Sequence, residues 1–312
     1  MRAIFFGSPE FAVPCLDALT EVADVALVVS QPDRPAGRGL ALRPPPVKVR
    51  AEALGLPVIQ PSKVRTVAFA ETLARCEADV GVVVAYGRIL PRRVLDAPRR
   101  GCVNVHASLL PRWRGAAPIH YAVWHGDAET GVTLMEVDDG MDEGAIIATE
   151  RTAIGPNETT GELSERLAVL GAELLRAELP AYVAGERVAT PQDDARATYA
   201  ALLDKSAGEV DWARDAHAIH DQVRGLHPWP GAFTTLDGAT IKLHETRVAG
   251  TPAVTARAVS PGTIVEAGPD GVEVACGRGR LRIEALQQSG RRRVSAAQFV
   301  AGHPDLAGVR FE

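Results

Sequence analysis

Along the first half of the chain, short apolar runs alternate with amphipathic stretches. The runs Ala3–Phe6, Val25–Val29, Pro57–Gln60, Val80–Ala85 and Cys102–His106 read as strands. Between them, Pro9–Leu19, Val47–Leu54, Val67–Arg75 and Pro91–Ala97 carry helical spacing. That rhythm predicts an α/β unit with a largely parallel sheet and helices on both faces. Ligands of such a sheet sit at the carboxyl ends of its strands. After a helix at Pro118–His125 the pattern lengthens into strands at Gly131–Val137 and Ile146–Ala153, and an amphipathic helix at Thr159–Val183 closes the region.

Residues 190–205, "TPQDDARATYAALLDK", read as a connector, with paired acids, a proline and one short apolar turn. The division expected is therefore a catalytic domain over 1–189, a linker over 190–205 and a smaller domain over 206–312. In the last of these, a helix at Asp215–Gly225 is broken by "HPWPG". Short strands follow at Ala232–Leu236, Thr240–Val248, Gly262–Glu266, Val272–Ala275 and Leu281–Leu286, with Asp237-Gly238 as a hairpin turn. Several short strands of this kind predict a small β-barrel, with OB-like folds among the candidates.

At 312 residues and 46% hydrophobic content, the chain can bury two ordinary cores. Cys15, Cys76, Cys102 and Cys276 are scattered without a CxxC pair, which argues against zinc sites and a disulfide framework. The opening "MRAIFFGSPEF" turns too early for a secretory signal, and no uncharged run is long enough to span a bilayer, so the expectation is a cytoplasmic protein with no membrane partner. The net charge of −5 hides an asymmetry. Residues 31–50 carry Arg34, Arg38, Arg43, Lys48 and Arg50 against Asp33 alone, and residues 276–293 carry six arginines against Glu284. Two basic stretches on an acidic chain point to a localised polyanion contact or to a solvated arginine face. From residue 206 onward basic and acidic residues balance at 12 each, so the first reading rests on clustering.

The chemistry concentrates in "GCVNVHASLLPRWRGAAP", residues 101–118. Asn104 and His106 stand two apart on a predicted strand, so both project on one face at its carboxyl end. An amide and an imidazole side by side can both donate to one oxygen, as acyl transfer requires. The next strand leads into "EVDDGMDEG", residues 136–144, whose acids lack the alternation of a calcium loop. One of its carboxylates is a candidate to orient and charge-stabilise His106. Gly7-Ser8-Pro9 after the first strand lacks the three-glycine spacing of a dinucleotide turn, and Ser8 reads as a helix cap with Pro9 in the first turn.

Taken with "IFFGSPEFAVPCLDAL", "QPDRPAGRG", "TGVTLMEVDDGMDEGAI", "EVDW", "HPWPG" and "ALQQSGRRRVSAAQF", these segments resemble the folate-dependent formyltransferases over essentially the whole chain. Within that family the likeness is to the branch that formylates the methionine carried by initiator tRNA. The resemblance implies a Rossmann-like, mostly parallel sheet followed by an OB-like barrel that holds the tRNA. It implies Asn104, His106 and Asp142 as the catalytic amide, imidazole and carboxylate. It implies Ser108, Leu109, Leu110 and Pro111, with Arg88, Ile89 and Leu90, at the folate. Arg38, in a loop that reaches the tRNA acceptor end, is implied as a direct contact, although Leu40 and Ala41 stand where lysines are common. Arg112 and Arg114 are placed at the tRNA 3′ end, where Trp113 either packs or stacks on a base. Arg278, Arg280 and Arg282 alternate along one strand, and Arg291, Arg292 and Arg293 follow a glycine turn, all as phosphate contacts.

The implied donor is 10-formyltetrahydrofolate, the released product tetrahydrofolate and the acceptor initiator methionyl-tRNA, with no metal and a monomeric chain. Three alternatives share part of this pattern: a formyltransferase for an amino sugar nucleotide or other small amine, a hydrolase of the folate donor, and a non-catalytic RNA-binding protein.

Overall fold

The alternating apolar runs fold into a seven-stranded sheet. The computed structural model describes residues 1–36, 41–249, 259–303 and 305–312. By its internal contacts the chain forms two units: Met1–Pro118, Glu129–Ala153 and Ser164–Ala200 in the first, and Ile119–Ala128, Ile154–Leu163 and Ala201–Glu312 in the second.

The first unit runs β1 (Arg2–Gly7), α1 (Val13–Val22), β2 (Asp24–Val29), α2 (Pro46–Ala53), β3 (Val58–Ile59), α3 (Val67–Ala74), β4 (Val80–Val84), α4 (Arg92–Leu95) and β5 (Cys102–His106). It continues, after α5 (Pro118–Trp124) of the second unit, through β6 (Glu129–Glu136), β7 (Ile146–Ala153) and all but the first turn of α6 (Thr160–Ala184). The sheet order is β7-β6-β5-β4-β1-β2-β3. Strands β1 to β5 pair in parallel, and β6 lies antiparallel between β5 and β7. Chain order reverses between β1 and β4, so the loops after β1, β2, β4 and β5 leave the same edge around a switch point. Burial explains the apolar runs: Ile4, Phe6, Leu27, Val29, Phe69 and Leu73 share one core.

Ser8 departs from its expected role. Its side chain caps no helix; its hydroxyl instead accepts from Gln31 N at 3.1 Å, tying the turn after β1 to the end of β2. Thr66, by contrast, does cap α3 through Phe69 N.

The second unit contains α7 (Ala216–Gly225), β8 (Ala232–Leu236), β9 (Ala239–Ala249), β10 (Ile264–Gly268), β11 (Gly271–Ala275), β12 (Arg280–Gln288) and α8 (Ala296–Ala301). Its antiparallel sheet has the order β8-β9-β12-β11-β10. Asp237 (φ 48°) and Gly238 (φ 74°) form the expected two-residue hairpin turn, whose left-handed backbone matches the strand twist. Trp212 stacks on Phe311 at 5.6 Å within the core. Among the described residues no helix is long and apolar enough to cross a membrane.

The segment expected to be a linker is not loose along its first half. Thr190 and Ile146 exchange backbone bonds of 2.8 Å, and Tyr199–Ala200 pairs in parallel with Arg114–Gly115. Residues 190–200 therefore form a strap on the first unit.

Candidate active site

Strand β5 delivers Asn104 and His106 to the carboxyl edge of the sheet, with Val103 and Val105 buried on the opposite side. No described residue hydrogen-bonds the Asn104 carboxamide. His106 is only 6% exposed, and its Nε2–H donates to the Trp113 carbonyl at 3.0 Å. A carbonyl can only accept, so this contact fixes the hydrogen on Nε2 and leaves Nδ1 for other partners. Nδ1 faces Asp142 Oδ1 at 3.7 Å, too long for a hydrogen bond but close enough for charge stabilisation or a bridging group. The other carboxylate oxygen, Oδ2, accepts from Gly115 N at 2.8 Å.

Backbone strain gathers at this point. Trp113 (φ 61°) and Asp142 (φ 56°) are both left-handed, which costs a non-glycine residue about 1–3 kcal/mol and persists only where neighbours enforce it. Trp113 is enforced by its N–H, which donates to Thr198 Oγ1 at 2.9 Å. The Asp142 loop returns through Gly144, where any Cβ would collide with the Glu136 carbonyl.

The turn expected at the folate is wound around a residue that sequence reading passed over, Thr133 of β6. Thr133 Oγ1 donates to Ser108 O at 2.7 Å and accepts from Leu110 N at 3.2 Å, while Ser108 Oγ donates to Arg112 O at 2.6 Å. The Ser108 hydroxyl is thus committed to the turn, Leu110 is buried, and Leu109 is half-buried. The peptide Leu110–Pro111 is cis. A threonine inside the apolar run "GVTLMEV" was the available signal for such a turn anchor. Arg88 is tethered by Gln31 Oε1 at 3.0 Å and Ser62 O at 2.7 Å, and Gln31 Nε2 donates to Tyr86 O at 2.9 Å. Ile89 is 73% exposed, but Leu90 lies in the core and supports the segment from behind rather than offering its side chain to a ligand.

The arginines divide sharply. Arg114, expected at the tRNA end, is 2% exposed and spent on Gln192 and Asp194, so no nucleic acid can touch its guanidinium. Arg112 is exposed, with its guanidinium 4.3 Å over the Trp113 ring, and Trp113 itself is buried, which rules out its stacking on a base. Arg280 and Arg282 do share a face of β12, but Glu273 on β11 takes both, at 3.7 and 2.8 Å. Arg278 pairs with Asp215 and Arg293 with Glu245. Arg291 and Arg292 are exposed with no acidic partner among the described residues. Arg38 and Leu40 lie outside the described residues. Among those described, no three His, Cys, Asp or Glu side chains gather as a metal site.

A strand-borne amide and imidazole with a loop carboxylate beside them, at the edge of a parallel sheet, can stabilise an oxyanion and move a proton. The chain belongs to the formyl transferase family: the family described as "Formyl transferase" matches residues 1–179, and "Formyl transferase, C-terminal domain" matches residues 202–304. Its full-length relatives carry a more particular name. The methionyl-tRNA formyltransferase of Sorangium cellulosum is 53% identical, covering 99% of both chains, and that of Myxococcus xanthus is 49% identical over 97% of this chain and 95% of its own. Among solved structures, the N-formyltransferase from Helicobacter canadensis, in complex with folinic acid and dTDP-3-aminofucose, superposes with a TM-score of 0.68 at 16% identity. It covers 92% of this chain and 98% of its own, and at that identity the likeness is one of fold.

Proposed function

We propose that this chain transfers the formyl group of 10-formyltetrahydrofolate to the α-amino group of methionine on initiator tRNA, giving N-formylmethionyl-tRNA for translation initiation. The observation that carries the reading is the convergence of an unpartnered Asn104 carboxamide with a His106 whose Nδ1 faces Asp142.

The residues present suit a folate. Ser30 Oγ and Tyr86 Oη are buried without partners at the carboxyl ends of β2 and β4, and Ile89 offers an exposed apolar side chain three positions beyond Tyr86. Unpaired hydroxyls beside apolar surface fit a heteroaromatic ligand rich in donors and acceptors. When bound, the donor supplies an activated formyl carbon on its N10.

Asn104 donates its amide N–H to the formyl oxygen as negative charge grows there, a contribution of about 10²–10³ in rate. His106 Nδ1 takes the proton of the attacking amine and returns it to N10 as the carbon–N10 bond breaks. Proton transfer of this kind is worth roughly 10²–10⁴. Asp142 Oδ1 stabilises the imidazolium between those two events, and Trp113 O keeps Nε2–H out of the exchange. Arg291 and Arg292, exposed in the second unit, and Arg112, exposed beside Trp113, suit phosphate contacts. The names of the full-length relatives favour an RNA acceptor over an amino sugar nucleotide.

The test is single-turnover transfer of labelled formyl to methionyl-tRNA, uncharged tRNA, free methionine and an amino sugar nucleotide. Product on methionyl-tRNA alone is expected. Equal formate release in every tube would instead make the protein a hydrolase of the donor.

A further inference from the structure

We infer that Gln192 is a positioning residue for the Asp142 carboxylate, an inference that rests on the catalytic reading of Asp142 above. Gln192 belongs to the strap and lies outside both segments matched by the family, 1–179 and 202–304. Its carboxamide is nonetheless fully engaged at the site. Gln192 Nε2 donates to Asp142 O and Gly144 O, each at 2.8 Å. Its Oε1 accepts from Arg114 Nε at 3.0 Å and Arg114 Nη2 at 2.8 Å. Two donors and two lone pairs exhaust a primary amide, so its orientation is fixed.

These bonds close a ring. From Asp142 O the path runs through Gln192 to the buried Arg114 guanidinium, along the backbone to Gly115 N, and back to Asp142 Oδ2 at 2.8 Å. The residue before Arg114 is Trp113, whose carbonyl holds His106. One side chain thus couples the loop that carries the carboxylate to the backbone that holds the imidazole, and the 3.7 Å gap between them is set across that ring. Asp142 gains from such support, because a left-handed backbone costs a non-glycine residue energy that its neighbours must offset. Glutamate at 192 would aim an acceptor at two carbonyls, and asparagine is one methylene too short to span to Arg114.

The experiment uses the full chain with 10-formyltetrahydrofolate and methionyl-tRNA, and compares Gln192→Met, Asp142→Asn and the double variant by single-turnover and steady-state rates. Gln192→Met is expected to lower kcat by about 10- to 100-fold, the scale of a misplacement near 1 Å, with both KM values within about threefold. In the Asp142→Asn background the same change should cost less than about twofold, because a residue that acts through Asp142 has nothing left to position. Equal losses in both backgrounds would mark a merely structural role, and a rise in the KM for methionyl-tRNA at unchanged kcat would mark a substrate contact; either overturns the inference. If Gln192→Met does not fold, Gln192→Glu decides, since it keeps the acceptor for Arg114 and puts a charged acceptor in place of the two donors. Its kcat should fall by a similar factor, and a wild-type kcat would overturn the inference. Wild-type turnover by Asp142→Asn alone would refute the catalytic reading itself, a result separable from any behaviour of Gln192.

Discussion

The Trp113 carbonyl oxygen lies 3.0 Å from His106 Nε2, and this contact decides which nitrogen of the imidazole is available to substrates. Thr198 fixes that carbonyl from the other side by accepting the Trp113 N–H. Thr198→Val keeps the shape and removes the acceptor, at about 1–3 kcal/mol for an orphaned amide. A drop in kcat of about tenfold with unchanged tRNA affinity is expected from steady-state rates and filter binding. A variant with full kcat would show that Trp113 holds the imidazole without help.

Arg114 is a second point where burial decides the role. Arg114→Met should lower the unfolding free energy by about 2–3 kcal/mol, because Gln192 Oε1 loses a charged donor and the strap loses its anchor. The salt dependence of tRNA binding should match that of the unaltered protein. Titrations of tRNA binding between low and moderate salt check this, and a shallower slope would return Arg114 to the nucleic-acid contacts.

The arginines of the second unit should differ in the same assay. Arg291→Gln and Arg292→Gln should each lower the salt slope by about 1, the value for one lost phosphate contact. Arg280→Gln and Arg282→Gln should change it less, since Glu273 already holds both side chains. Uniform effects across all four would mean that Glu273 releases its partners when tRNA binds.

Acid stability follows from the histidines of the second unit. Burial holds His120, His220, His227 and His244 below the usual imidazole range. For His220, Arg224 and Arg247 push the same way while the Pro156 carbonyl and Asp221 oppose. A lowered folded-state value means that the unfolded chain binds more protons, so stability is complete above about pH 6.5 and declines as the pH falls below it. His220 alone adds a slope of at most about 1.4 kcal/mol per pH unit in that window. Chemical denaturation at pH 7.5, 6 and 5 should show the decline, and His220→Gln should flatten it. Identical slopes for both proteins would count against a neutral His220.

How much of this was legible in the sequence depended on range. Strands β1 and β5 could be read because an apolar run is a local property, and Asn104 and His106 because strand geometry alone puts them on one face. The alternation of Arg280 and Arg282 was equally legible, but their partner was not: Glu273 faces Arg282 only through β11–β12 register. The Trp113 carbonyl and Gly115 amide carry no sequence signature, since every residue offers the same groups. Gln192 and Thr198 act 50 and 85 positions from Asp142 and Trp113, distances no local pattern spans. Paired acids and a proline give their segment the look of a tether, and the burial of Arg114 carries no local signal because its partners Gln192 and Asp194 lie in that same segment.

The strap at 190–200 also bears on how such a chain can be recombined. A chimera joined at residue 189 would take its Gln192, Asp194 and Thr198 from the other parent, and with them the fastenings of Asp142, Arg114 and Trp113. A crossover placed after Ala200 inherits those fastenings intact. The place where the polypeptide looks easiest to cut is therefore where a graft would silently replace the supports of the candidate site.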